Sequence, residues 1–416
     1  MDTTETDDSS NPKIGIIGGG AAGVFAAIAA ANSNPQAKVT VYEKGRSLLS
    51  KVRISGGGRC NVTHACFDPK SFCQNYPRGS RELLGPFNQF QASDTVEWFE
   101  SRGVVLKTEA DGRMFPITDS SQTIIDCLLE KCRRAGVALA TNAGVVRVER
   151  NTNGRFHLEF GGGRTEIVDR LLIACGGLKP GKLHNSLELF GHTLEPAVPS
   201  LFTFHIEIPW LKDLAGVSIP DSQVAIAQSK RSQTGPLLIT HWGLSGPAIL
   251  KLSAWEARYL HQLDYQFDLI VDWLPGYSKD ELKSKFARSK KLHPAKQIGN
   301  TPISPIPSRL WEALVQASGA SQIKRWAEFS RDDENRIGQI LKHCRLPVTG
   351  KSMNKEEFVT CGGVRLKEVN FKTMESRIVP GLFFAGEVLN IDGITGGFNF
   401  QAAWTTGWIA GMNMSL

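Results

Sequence analysis

The chain has 416 residues, 41% hydrophobic and 21% charged, which suffices for a sizeable core in two or three domains and argues against wholesale disorder. No run approaches the roughly 18 apolar residues of a membrane span, so no membrane partner is expected. The formal net charge of +7 favours anionic partners, a dinucleotide or a phosphate-bearing substrate before a nucleic acid, because the Lys and Arg residues are spread along the chain and are dense only in KSKFARSKK at 283–291.

Residues 1–12, MDTTETDDSSNP, are acidic and polar and carry no targeting pattern, so they read as a disordered tail on a cytoplasmic protein. KIGII (13–17) reads as a short buried strand. GGGAAG follows, then the alanine-rich helix VFAAIAAAN, then the alternating strand KVTVYEK. This is a strand–turn–helix–strand unit of the size that a parallel crossover requires. Residues 56–80, rich in Gly, Cys, Asn and Pro, read as a long functional loop. Helical patterns fall at 92–102 and 121–135, and strands at VALATNAGVVRVERN and RFHLEFGGGRTEIVDRLLIACGG, with the glycines at 161–163 as a hairpin turn.

The texture changes at Pro196. The expected organisation is a dinucleotide-binding domain over 13–195, a β-barrel insert over 196–277, a helical insert over 278–345, and a return to the first domain over 346–416, with a barrel segment near 346–357. The fold class is thus α/β, a discontinuous Rossmann-type domain with an inserted barrel and helical domain. None of the eight cysteines forms a CxxC pair, so no metal set is expected and the thiols should stay reduced.

Three motifs carry chemistry. In the first, Gly18 permits a tight turn, Gly20 lets the backbone approach a pyrophosphate, and Gly23 lets the helix pack closely on the sheet. Glu43, twenty residues past Gly23, offers a carboxylate to ribose hydroxyls. This turn does not distinguish NAD from FAD. The C-terminal stretch GLFFAGEVLNIDGITGGFNFQAAW decides it by resemblance: it is similar to the C-terminal strand, glycine turn and alanine-rich helix of two-dinucleotide-domain flavoproteins, which implies that a helix starting near Phe398 and Asn399 points its N-terminus at a flavin. The second motif is SGGGRCN (55–61), read as a flavin-edge loop in which Arg59 is a fixed cation and Cys60 and Asn61 are small polar groups. The third is THWGLSGPAIL (240–250), in which His241 is a candidate proton donor or equally a packed structural histidine.

These blocks, with GRMFP (112–116) and TCGGVRLKEVNFKTMESR, resemble the BaiN-like, aminoacetone-oxidase-like family of FAD-dependent oxidoreductases, from about residue 13 to residue 412. The resemblance implies a FAD-binding Rossmann domain interrupted by a β-barrel and a helical insert. It implies that Gly18, Gly20, Ala22 and Gly23 hold the pyrophosphate, and that Glu43, beside Lys44, holds the adenosine ribose. Val145, at the end of a strand, would meet the adenine through its backbone. Gly58, Cys60 and Asn61 would line the flavin, and Gly176, Gly386, Glu387, Asp392, Gly396, Gly397, Phe398 and Asn399 would complete the cofactor site. Asn390 stands where Asp is usual and Phe398 where Tyr is frequent.

The expected function is hydride transfer, with NAD(P)H docking transiently to reduce FAD and flavin N5 serving an electron-poor double bond of enone type, or the reverse oxidation. Arg59, Asn399 and His241 are the catalytic candidates. Two alternatives stay open: a FAD-dependent RNA-modifying enzyme, and a non-catalytic flavin sensor.

Overall fold

The structure, a computed structural model, describes residues 11–352 and 359–416. Of the tail expected over 1–12 only Asn11 and Pro12 are described, and the end of the segment expected near 346–357 lies outside the described residues. The chain forms two compact units. One runs up to Val198 and resumes at Val359–Leu416; the other starts at Pro199.

In the first unit β1 (Lys13–Ile17) leads through the glycine turn into α1 (Ala21–Ser33) and on to β2 (Lys38–Tyr42). β1 lies inside a sheet whose spatial order is Val369–Asn370, Glu375–Ser376, Leu382–Phe384, Arg170–Ile173, β1, β2, Ala138–Ala140. From Leu382–Phe384 to Ala138–Ala140 the strands are parallel, with Gly15 opposite both Leu171 and Thr40. Burial on both faces explains why β1 is a continuous apolar run rather than an alternating one. This is the Rossmann arrangement, accompanied by antiparallel sheets.

α1 is buried from Ala22 to Ala31, and the C-terminal helix Phe398–Met414 is buried on nearly every face. The two helices meet almost backbone to backbone. A Cβ on Gly407 would stand 2.5 Å from the Ala22 carbonyl oxygen, and one on Gly411 would stand 2.3 Å from that of Ala26. Phe25 of α1 packs on Trp404, ring centroids 5.3 Å apart.

The hairpin over 161–163 forms between Phe156–Phe160 and Thr165–Val168, with Gly162 and Gly163 at φ 98° and 87°. Two readings are corrected. Residues 56–80 are not one loop: the stretch carries the strand Thr63–His64 and the short helix Pro69–Cys73, which Asp68 caps by accepting from the Ser71 N–H, with proline at its first position. Val145 opens the strand Val145–Arg150 rather than ending one.

The second unit contains an antiparallel sheet in the order Cys344–Val348, Phe267–Asp272, Ser218–Ile226, Ser232–Thr240, Gly243–Ser245, Thr203–His205, Gly350–Ser352. The helices Lys279–Leu292, Ser308–Ala317 and Arg331–Lys342 follow in the same unit. Trp273, Trp311 and Trp326 are fully buried there; the Trp311 indole N–H donates to the Ile298 carbonyl (2.7 Å) and that of Trp326 to the Thr301 hydroxyl (2.7 Å). Ser330 and Asp333 form a capping box at the start of Arg331–Lys342. Burial disfavours the charged Asp333 carboxylate, but the Lys324 ammonium and the Ser330 hydroxyl and N–H outweigh it and hold the group at about 2.

Gly411→Ala should destabilise the first unit by about 1–3 kcal/mol through overpacking against Ala26. Gly338→Ala, inside Arg331–Lys342 where a Cβ meets nothing within 4 Å, should instead stabilise the second unit by about 0.5–1 kcal/mol. Thermal unfolding of the two variants checks the opposite signs. Because the folded Asp333 titrates below the ordinary aspartate value, its contribution is present above about pH 4 and is lost as the pH falls through about 2. Asp333→Asn should therefore flatten the acid limb of the second unit's stability profile, read by circular dichroism between pH 2 and pH 5.

Candidate functional site

The glycine turn is shaped by close approaches on one side and open space on the other. Gly18 has φ 113°, and a Cβ there would lie 2.4 Å from the Ala174 carbonyl oxygen. A Cβ on Gly23 would lie 2.0 Å from the Gly18 carbonyl oxygen. At Gly20 a Cβ would meet nothing within 4 Å, so the turn presents bare backbone to open space just where α1 starts. No side chain caps that helix start, and its first N–H groups are available to an anion.

Glu43 is fixed beside the turn. One carboxylate oxygen accepts from the Gly19 N–H (2.8 Å) and the other from the Gly45 N–H (2.7 Å). The segment before Val145 is tied to the same place: Ala143 N–H donates to the Glu43 carbonyl (2.8 Å) and Asn142 N–H to that of Gly45 (2.9 Å). A Cβ on Gly144 would be 3.1 Å from the Lys44 Cβ, so Lys44 packs beside the residue that precedes Val145 while its own side chain is exposed. From the far end of the chain, a Cβ on Gly386 would stand 2.9 Å from the Ala22 Cβ. Gly176, at φ 75°, lies near Glu387, whose carboxylate accepts from the Thr360 N–H (2.7 Å) and pairs with Lys51 (2.6 Å).

The second half of the site is the turn over residues 392–397 and the helix start behind it. Gly396 and Gly397 have φ 129° and 93°, and no side chain caps Phe398–Met414 at Gly397. That start is anchored from residues 61–78. The Asn61 amide accepts from the Gly397 N–H (2.9 Å) and donates to the Thr63 carbonyl (3.0 Å). His64 Nδ1 is 3.0 Å from the Gly396 carbonyl oxygen, and its ring stacks on Phe398, centroids 4.7 Å apart. The Tyr76 hydroxyl donates to the Phe398 carbonyl (2.6 Å). Arg78 donates to both oxygens of Asp392, which is completely buried. Asn399 turns its amide back on the turn, accepting from the Gly393 N–H (2.9 Å) and donating to the Gly393 carbonyl (2.9 Å).

His64, Tyr76 and Arg78 were not singled out in the sequence. They belong to no periodic pattern, and their partners are more than 300 residues away.

Gly56, Gly57 and Gly58 are successively left-handed, at φ 58°, 69° and 84°, and a Cβ on Gly57 or Gly58 would meet nothing. Arg59 lies over the Phe115 ring (4.0 Å) and donates to Glu109 (2.6 Å), with Asp119 at 3.6 Å, so its charge is already balanced. Cys60 is fully buried, and burial pushes its thiol up to about 12 against a weaker opposing hydrogen bond from Ser55. At neutral pH it is a protonated, shielded thiol rather than a nucleophile. His241 belongs to the other unit, exposed in the turn between Ser232–Thr240 and Gly243–Ser245.

An open glycine cradle, two uncapped helix starts and a carboxylate at a strand end suit a dinucleotide with a redox-active ring. The residues present fit FAD. Among the described residues no three His, Cys, Asp or Glu side chains converge as a metal set.

Comparisons with known proteins agree. The chain is 30% identical over 96% of its length, and 98% of the relative's, to a 3-dehydro-bile acid delta(4,6)-reductase of Clostridium scindens. It is also 30% identical, over 96% of its length and 97% of the relative's, to the ribosomal RNA dihydrouridine synthase of Escherichia coli. A 3-ketosteroid-delta4-(5alpha)-dehydrogenase from Rhodococcus jostii, solved with 4-androstene-3,17-dione, shares the fold with a TM-score of 0.53 at 14% identity, covering 100% of this chain and 99% of that one. The family described as HI0933-like protein Rossmann domain matches residues 12–413, and the chain belongs to it, as a FAD-binding oxidoreductase.

Proposed function

We propose that the protein reduces a carbon–carbon double bond conjugated to a carbonyl, with NAD(P)H as electron donor. One observation carries this reading. Two relatives of equal identity are named for very different molecules, yet both names describe saturation of such a bond: the dienone of a 3-oxo bile acid in one, the uracil ring in the other. FAD, when bound, supplies the hydride.

The chain's own residues place and polarise it. The backbone at Gly18, Gly20, Ala22 and Gly23 holds the pyrophosphate at the start of α1. Glu43 orients the adenosine ribose, and the Val145 backbone meets the adenine. Gly58, Asn61, Gly176, Gly386 and Glu387 line the flavin arm, with Cys60 packed behind it. The N–H groups that begin Phe398–Met414 offset negative charge on the reduced ring. Asn399 serves by positioning that start, since its amide is spent on Gly393. Arg59 is balanced by Glu109 and contributes shape more than field. His241 is the proposed proton donor, and loss of turnover with intact flavin reduction in His241→Gln is its expected signature.

The substrate class is a small enone in the first reading and a uracil in RNA in the second. The second is favoured by the ribosomal RNA relative and by the exposed cations Lys283, Lys285, Arg288 and Lys291 on Lys279–Leu292. We further propose that the second unit's sheet closes as a barrel, because its two outermost strands are separated in the chain by Thr349 alone, and that the protein works in the reducing cytoplasm.

Anaerobic addition of NADH or NADPH should bleach the visible flavin band, and a steroid-type enone should restore it. Restoration by ribosomal RNA alone would select the second reading, and a flavin inert to both nucleotides would overturn the proposal. Glu43→Ala leaves the Gly19 and Gly45 N–H groups without their carboxylate, and FAD affinity should fall about tenfold or more, measured from the fluorescence of released flavin.

A further inference from the structure

The peptide between Gly396 and Gly397 is gripped at both ends. Its carbonyl oxygen is 3.0 Å from His64 Nδ1, and its N–H donates to the Asn61 side chain at 2.9 Å. For the first contact to be a hydrogen bond, Nδ1 must carry the proton, because a carbonyl oxygen only accepts. A peptide flanked by two glycines in left-handed backbone has little intrinsic resistance to rotation. This one lies directly before the uncapped start of Phe398–Met414, so its orientation decides where those N–H groups point.

His64 is itself held. Thr63–His64 pairs with Arg113–Pro116, placing His64 opposite Arg113, and a Cβ on Gly112 would come within 2.5 Å of His64 Nε2. Thr63 donates to the Gln401 side chain (2.6 Å), and the Trp404 indole donates to the Val62 carbonyl (3.0 Å), which ties the strand to the helix it steers.

We infer that His64 is a positioning residue that, with Asn61, locks the Gly396–Gly397 peptide and thereby sets the electron affinity of the flavin. The inference rests on the proposed placement of the flavin ring at the start of Phe398–Met414. Without the imidazole N–H the peptide can rotate, the helix start loses alignment, and the reduced, negatively charged ring loses stabilisation relative to the oxidised one.

Three variants of the FAD-loaded protein test it. His64→Phe keeps a ring to stack on Phe398 but removes the donor. His64→Asn restores a donor near the position of Nδ1 but removes the ring. Asn399→Asp puts a carboxylate in the first turn and reports whether the flavin ring is there. The flavin midpoint potential is measured on the loaded fraction, with thermal unfolding and flavin content alongside.

His64→Phe should unfold like the wild type yet lose about tenfold in its preference for reduced over oxidised flavin, about 30 mV more negative for a two-electron couple. His64→Asn should recover most of that shift, and Asn399→Asp should also move the potential negative. A wild-type potential in His64→Phe, with Asn399→Asp shifted, would overturn the role of His64 alone. The same holds if only stability changes, or if His64→Asn matches His64→Phe. An unchanged potential in Asn399→Asp would overturn the placement of the flavin and the inference with it.

Discussion

The approach of α1 to the terminal helix is the constraint on which the rest of the structure depends. Backbone meets backbone where Gly407 faces Ala22 and Gly411 faces Ala26, a distance that no side chain larger than hydrogen permits on the terminal helix. This contact brings the last residues of the chain onto the first helix. It is what allows Gly386 to touch Ala22 and so completes a cradle that the N-terminal motif only begins. The alanine and glycine content of both helices therefore has a packing cause: small residues are required on both sides of the seam. Burial all round follows, and neither helix shows the amphipathic stripe of a surface element.

A cradle built from glycines needs external support, because the freedom that lets backbone approach a ligand also lets it move. The two halves of the site obtain that support in different ways. At residues 18–23 the support is local: Glu43, at the end of the adjacent strand, ties down Gly19 and Gly45 with one carboxylate. At residues 392–397 the support is remote. Asn61, His64, Tyr76 and Arg78 reach in from one short stretch, which the strand Thr63–His64 and the capped helix Pro69–Cys73 hold in shape.

That difference also explains what the sequence makes legible. Gly18, Gly20, Gly23 and Glu43 are demanded by backbone geometry at fixed spacing, so residue types alone reveal them. The parallel sheet around β1 is legible for the same reason, since an apolar run followed by this turn has few other uses. His64, Tyr76 and Arg78 act through single contacts across more than 300 residues, and nothing in local pattern marks them. Arg59 is half legible. A fixed cation next to three glycines can be read from the sequence, but its partner Glu109 lies 50 residues downstream in a hairpin that returns to the loop, where no local pattern reveals it. Cys60 is similar: polar in the sequence, it is enclosed by its neighbours and raised out of the reactive range.

The Arg78–Asp392 pair shows what the remote support is for. Taking a carboxylate completely out of water is costly, and a well-packed apolar pair of similar volume is often as stable or more so. What an apolar pair lacks is direction. Arg78 engages both oxygens of Asp392 through the fixed fork of its guanidinium, so the plane of the carboxylate is set by the plane of the cation. Asp392 immediately precedes Gly393, whose N–H is in turn held by Asn399. Orientation thus passes from a rigid ion pair, through one backbone step, to the first turn of the terminal helix. Backbone made soft by glycine is aimed by side chains that are not soft, and the charge buried at Asp392 is best explained as the cost of aiming it.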